Sequence, residues 1–110
     1  MSRLRENLLA TLLSARIISQ AEEALRSALE LREGELSLGI LTTDSDDVSY
    51  AALDAATKAA PVRVAYAKSM YAGAKAASNA HTGEFIGILA GPGPAQVRSG
   101  MDAAIAYMNE

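Results

Sequence analysis

Leu36-Ser37-Leu38-Gly39-Ile40-Leu41-Thr42-Thr43 places Leu36, Leu38 and Ile40 on one face at period two, the pattern of a half-buried strand. Asp44-Ser45-Asp46-Asp47 follows at once, supplying N-cap candidates and negative charge where the dipole of a new helix favours it. Val48, Ala52, Ala55, Ala56 and Ala59 then form an apolar stripe at helical spacing. Asp47, Asp54 and Lys58 fall on the opposite face, with Asp54 and Lys58 at the favourable acid-then-base spacing. Pro61 ends this helix, and Val62, Val64 and Tyr66 alternate with Arg63, Ala65 and Ala67 as a second strand. Glu84 to Ala90, containing Phe85-Ile86-Gly87-Ile88-Leu89, carries large apolar side chains on both faces and reads as a central strand.

Outward from this centre the signals differ in strength. Gly91-Pro92-Gly93-Pro94 is a turn with Pro94 suited to the first helical position, and Val97, Met101, Ala104, Ile105 and Met108 mark one face of a C-terminal helix. Gly100 inside that helix costs about 1 kcal/mol relative to alanine, so it marks a candidate close approach of backbones. Upstream, Ser19-Gln20-Ala21-Glu22 has the form of a capping box, predicting a helix over about 20–31 with Gly34 as its stop. Near the N-terminus Leu8, Leu9, Leu12 and Leu13 fit a helix while Ala15-Arg16-Ile17-Ile18 fits the end of a strand, and periodicity does not decide between them. The order is β-α-β-α-β-β-α, an α+β domain with helices on one face of a mainly antiparallel sheet.

The chain has 110 residues, enough for one core and one domain, with residues 1–9 as an N-terminal extension. It holds 23 alanines but only five aromatic residues (Tyr 4, Phe 1), so the core must be thin and its elements closely spaced. A formal charge of −3 lacks the basic excess of a nucleic-acid binder, and no apolar stretch approaches the roughly 20 residues that cross a bilayer. Without cysteine there is neither disulfide nor thiolate zinc site, and no metal or cofactor is implied. The phosphate-loop pattern is absent, and Asp44-x-Asp46 lacks the glycine and glutamate of a calcium loop, having Ser49 and Ala55 at those places. His81 has no nucleophile beside it. These residues point away from catalysis. Lys68 to Thr82 joins two strands with small and polar residues and is longer than an ordinary hairpin loop, which makes it the first place to look for a site.

Ala56-Thr57-Lys58-Ala59-Ala60-Pro61-Val62 resembles the Lys-Ala-Ala-x-Val signature of bacterial microcompartment (BMC) shell domains. The succession Ser37 to Tyr50, Ala67 to Ala74, Gly83 to Pro92 and Val97 to Gly100 is similar, in this order, to the first half of the ethanolamine-utilisation shell proteins of the L type. The resemblance implies a circularly permuted BMC domain and makes Ala10 to Ile18 a strand. It implies a structural role in the shell of a microcompartment in the bacterial cytoplasm, in flat cyclic tiles whose pores pass small metabolites, alongside other shell proteins. A single domain implies a homohexamer; a chain that is half of a fused two-domain form implies a trimer.

The resemblance also assigns residues. Lys58 matches a tile-edge lysine, against the plainer reading of a solvated partner of Asp54. Ser69, Met70, Tyr71, Ala72, Gly73, Ala74 and Lys75 match the loop beside the central pore, against the reading of Tyr71 as a loop anchor. Asp44, Asp46 and Asp47 match an acidic turn near smaller pores, where a carboxylate favours a cationic amine; helix capping is the alternative. The rival function is a small ferredoxin-like ligand-binding regulator in which the Lys68 to Thr82 segment closes over an effector.

Overall fold

Strand β1 (Leu12–Ile18), helix α1 (Glu23–Ala28), strand β2 (Ser37–Thr43), helix α2 (Asp46–Ala59), strands β3 (Arg63–Tyr71) and β4 (Gly83–Gly91) and helix α3 (Pro94–Met108) follow one another in the computed structural model. It describes residues 12–71 and 83–109, with the backbone alone at 46, 70, 71 and 83. The strands form one antiparallel sheet in the order β1-β2-β4-β3. This is the expected α+β order, with β4 between two partners and β1 settling the ambiguous N-terminal leucines as strand from Leu12 onward.

Side-chain alternation divides the sheet into two faces. On one, Leu41, Phe85 and Leu89 pack against Ala52, Leu53 and Ala56 of α2 and Val97, Met101, Ala104 and Met108 of α3, all buried. Close packing here depends on missing side chains: a Cβ at Gly39 would lie 2.7 Å from both Val97 and Met101, and one at Gly100 would lie 3.0 Å from Val62. The helix is thus closely approached at Gly100, but by the Val62 and Leu89 side chains and not by another backbone as expected. On the other face Leu38, Ile88 and Ala90 form a smaller cluster with Ala21, against which Leu25, Leu29 and Leu31 pack from α1 and its exit.

Helices thus cover both faces, correcting the expectation of helices on one face alone. The reason lies in the sheet strands, whose alternate residues Leu38, Ile40, Ile86 and Ile88 are themselves apolar and need cover on their own side. Helix α1 is also shorter than expected, six residues with Glu22 at the N-cap and no side-chain cap bond. The helix starts at Glu22 instead of Ser19, and the segment before it is tied across the fold: the Ala21 amide donates to the Leu36 carbonyl at 2.7 Å and the Ser37 hydroxyl donates to the Ser19 carbonyl. At its other end Leu31 donates to the Arg26 carbonyl (2.9 Å) and Glu30 to that of Ser27 (3.1 Å), the two bonds of a Schellman motif. Glu30 holds the left-handed position there, with φ at 55°.

Three further expectations shift. The buried stripe of α2 runs through Ser49, Ala52, Leu53 and Ala56, so Leu53 belongs to the core and Ala59 is exposed. In β3 the alternation breaks between Val64 and Tyr66, where an extra residue enters opposite β4. Val64 packs into the large cluster and Ala65 into the small one, while Tyr66 opposes Ile88 on the small-cluster side. Leu36 lies before β2 and is 42% exposed, so only Leu38 and Ile40 hold the face predicted for all three.

Candidate functional site

The acidic turn stands on a hydroxyl staple at the junction of β2 and α2. Thr43 and Ser49, both fully buried, have their hydroxyls in mutual hydrogen-bonding contact, and each also reaches the Ser45 carbonyl, Ser49 at 2.6 Å and Thr43 at 3.0 Å. The staple fixes the start of α2 without the side-chain cap expected from this stretch: Ser45 is the N-cap residue and makes no such bond. Asp46 and Asp47 open the first turn, where negative charge suits the helix dipole, and Asp47 is exposed. Asp44 is half-buried. The structure therefore gathers Asp44, Asp46 and Asp47 into one turn whose backbone is held from beneath.

Along the exposed side of α2, Tyr50 stands between Asp47 and Asp54. Its ring meets buried Phe85 edge-on, centroids 4.8 Å apart, yet Tyr50 remains 48% exposed. Lys58, one turn beyond Asp54, bonds its carboxylate at 2.7 Å with both side chains largely in solvent. The plain reading of Lys58 is thus satisfied within the domain, although an exposed pair at this spacing adds only about 0.3–0.5 kcal/mol and leaves the ammonium accessible.

The residues matched to a pore loop are only partly described. The β3–β4 ladder runs to the very root of the connection, pairing Ser69 with Phe85, Met70 with Glu84 and Tyr71 with Gly83. Ser69, Met70 and Tyr71 are therefore strand residues rather than loop residues. Ala72, Gly73, Ala74 and Lys75 lie outside the described residues, as do His81 and residues 1–9.

Sequence reasoning missed the ion pair of Glu35 and Arg63. Arg63 donates from Nε to Oε2 (2.8 Å) and from a terminal nitrogen to Oε1 (2.7 Å), a two-point clasp that ties the approach to β2 onto the start of β3. The Arg32 amide adds a 2.7 Å bond to the same carboxylate. Hydrogen bonding from Arg63 holds the Glu35 carboxyl below its ordinary range against an opposing desolvation effect, and the carboxylate in turn raises Arg63. Beside the clasp lies a shallow depression of about 390 Å³, bordered by Pro61, Gly91 and Pro92. Both charges are spent on each other, so this is a brace. No local signal could have revealed a pair that is 28 residues apart.

Among the described residues no three His, Cys, Asp or Glu side chains are placed to hold a metal ion, and no helix is long and apolar enough to cross a membrane.

Comparison with known proteins bears on this arrangement directly. The family model described as BMC domain matches residues 37–110. The chain is 55% identical over 97 residues to the bacterial microcompartment shell protein EutL of Clostridium perfringens (strain 13 / Type A), covering 88% of this chain and 45% of that protein. It therefore spans about half the length of the curated relatives it matches. The crystal structure of ethanolamine utilization protein EutL from Leptotrichia buccalis superposes with a TM-score of 0.82 at 47% identity, over 93% of this chain and 47% of the other. A fused permuted hexameric shell protein from the RMM microcompartment shares the fold, with a TM-score of 0.65 at 24% identity over 91% of this chain and 49% of the other.

Proposed function

The chain belongs to the BMC domain family, and from that premise we propose that it is a structural component of a bacterial microcompartment shell, acting without catalysis as one sector of a cyclic tile. The observation that carries this reading is the likeness to EutL, high in both sequence and fold over nearly the whole of this chain. The described residues are consistent with a paving role. The Cα trace measures 41 × 32 × 16 Å, a slab suited to lying flat among neighbours.

In this reading six domains surround an axis, supplied by six chains of this length or by fewer chains that each carry two such domains. The segment from Ser69 to Lys75, the end of β3 and the start of its connection to β4, borders the central opening and small metabolites pass it. Lys58, at the far end of α2 from the acidic turn, meets a neighbouring tile, where its ammonium exchanges a weak internal pair for contacts across the seam. Asp44, Asp46 and Asp47 face a lesser opening and favour amines. The tile takes its place in the bacterial cytoplasm beside other shell proteins.

Electron microscopy of the purified 110-residue chain, read together with its native mass, tests the proposal. Discrete sixfold discs or extended hexagonal layers are the expected result. A chain that stays monomeric or dimeric at every concentration, and tightly binds an effector, would instead favour the ligand-binding regulator.

A further inference from the structure

We infer that copies of this chain join head to tail, the acidic, tyrosine-bearing face of α2 on one copy entering the arginine-lined groove between β1 and α3 on the next. The inference rests on the ring proposed above and names the surfaces that close it; it assigns Asp47 to the junction and leaves Asp44 and Asp46 to the lesser opening.

The two surfaces occupy opposite sides of the domain. Helix α3 packs over β1, β2 and β4, whereas α2 packs over β3 and β4, so β1 with the outer flank of α3 forms one side and α2 with β3 the other. A ring of identical subunits needs this placement, because each copy must offer a different patch to each neighbour. On the first side a groove of about 280 Å³ runs between strand and helix, lined by Arg16, Ile17, Arg98, Met101, Asp102 and Ile105. Among the described residues neither guanidinium has an ion-pair or hydrogen-bond partner, and Arg98 does not close on Asp102 one turn away. The groove thus combines an apolar floor with a net positive rim.

On the opposite side Asp47, Tyr50 and Asp54 share one face of α2. Asp54 is already engaged by Lys58, whereas Asp47 has no ion-pair partner among the described residues. Tyr50 is anchored by its edge to Phe85 and keeps much of its surface open. A carboxylate beside an aromatic ring is complementary to a guanidinium, which donates charge-assisted hydrogen bonds to the first and stacks on the second. Tyrosine and arginine are also the residues most often found carrying interface energy. The open half of Tyr50 and the unpaired Arg98 are therefore matched in chemistry as well as in position.

The test uses two single variants, Arg98→Glu and Asp47→Arg, in native mass spectrometry of the full chain. Both sites are exposed, and circular dichroism with thermal melting checks that each variant folds. Each variant alone places like charges across every junction and is expected to lose the ring. Mixed in equal amounts they are expected to recover it, with the two masses in a one-to-one ratio. In an alternating ring, Glu from one variant meets Arg from the other at half the junctions, and the native pair forms at the rest. If Arg98→Glu alone still forms the ring, or if the folded mixture fails to form one, these surfaces are not the junction and the ring itself stands. If the unmodified chain forms no ring, the tile reading falls first and this inference falls with it.

Discussion

The two faces of the sheet are covered in different ways. On the α2–α3 face the cover is continuous: two helices of 14 and 15 residues interlock with Leu41, Phe85 and Leu89, and glycine at 39 lets α3 settle against β2. On the other face a single six-residue helix with no buried residue of its own rests over one end of the sheet. It is held as much by polar ties, Ala21 to Leu36, Arg26 to Ala21 and Glu35 to Arg63, as by Leu25 and Leu29. The first face holds the domain together through burial, and the second is a fitted cover whose removal leaves the main core standing.

Substitutions that should cost very different amounts test this contrast. The largest effect belongs to Phe85→Ala, which empties the middle of the main cluster and removes the support of Tyr50; a loss of about 3–5 kcal/mol in urea unfolding is expected. Leu25→Ala on α1 should cost only about 1 kcal/mol, since that side chain is half-buried. Equal losses at the two sites would break the comparison. Next comes Gly39→Ala, whose new methyl would collide with Val97, a stiff β-branched side chain, and should cost about 1–3 kcal/mol through overpacking, read as a lowered urea midpoint at an unchanged slope.

The clasp comes third. Glu35→Gln should lose about 1–2 kcal/mol at neutral pH, because a charge-assisted two-point bond becomes an ordinary one. Its folded carboxyl titrates below the ordinary value of 4.5, so the advantage of the native residue is fully present above that value and fades as pH falls through the depressed one. Unfolding midpoints of the two proteins should converge in acid, and a gap that stays constant down to the lowest pH would assign the effect to shape rather than charge. The smallest change has the opposite sign: Glu30→Gly should stabilise by up to about 1 kcal/mol, relieving a left-handed residue in the Schellman turn, seen as a modest rise in Tm.

How legible each part was follows from how local its causes are. The order of elements, the central place of β4 and the buried face of α3 were all readable, because each depends on the spacing of apolar residues within one segment. The length of α1 was not, since the segment before it is tied through Ser19 and Ala21 to Ser37 and Leu36 across the fold. Leu53 was overlooked because the alanines around it suggested a stripe one position off, and only contact with Phe85 and Gly87 fixes which way the helix is turned. Of the candidate site, the acidic turn and the Asp54–Lys58 pair were legible at helical spacing. The Arg63 brace and the Arg98 groove were not, being assembled from distant segments.

Both outermost strands carry an irregularity. β1 gains a residue between Leu12 and Ser14, and β3 gains one between Val64 and Tyr66. Each interrupts the row of free amides and carbonyls that a bare rim would offer to any passing extended chain. In the proposed tile, where copies lie side by side, such rims discourage fusion edge to edge into ribbons. Its contacts are left to side chains, which can be selective about partner and angle where a backbone rim cannot.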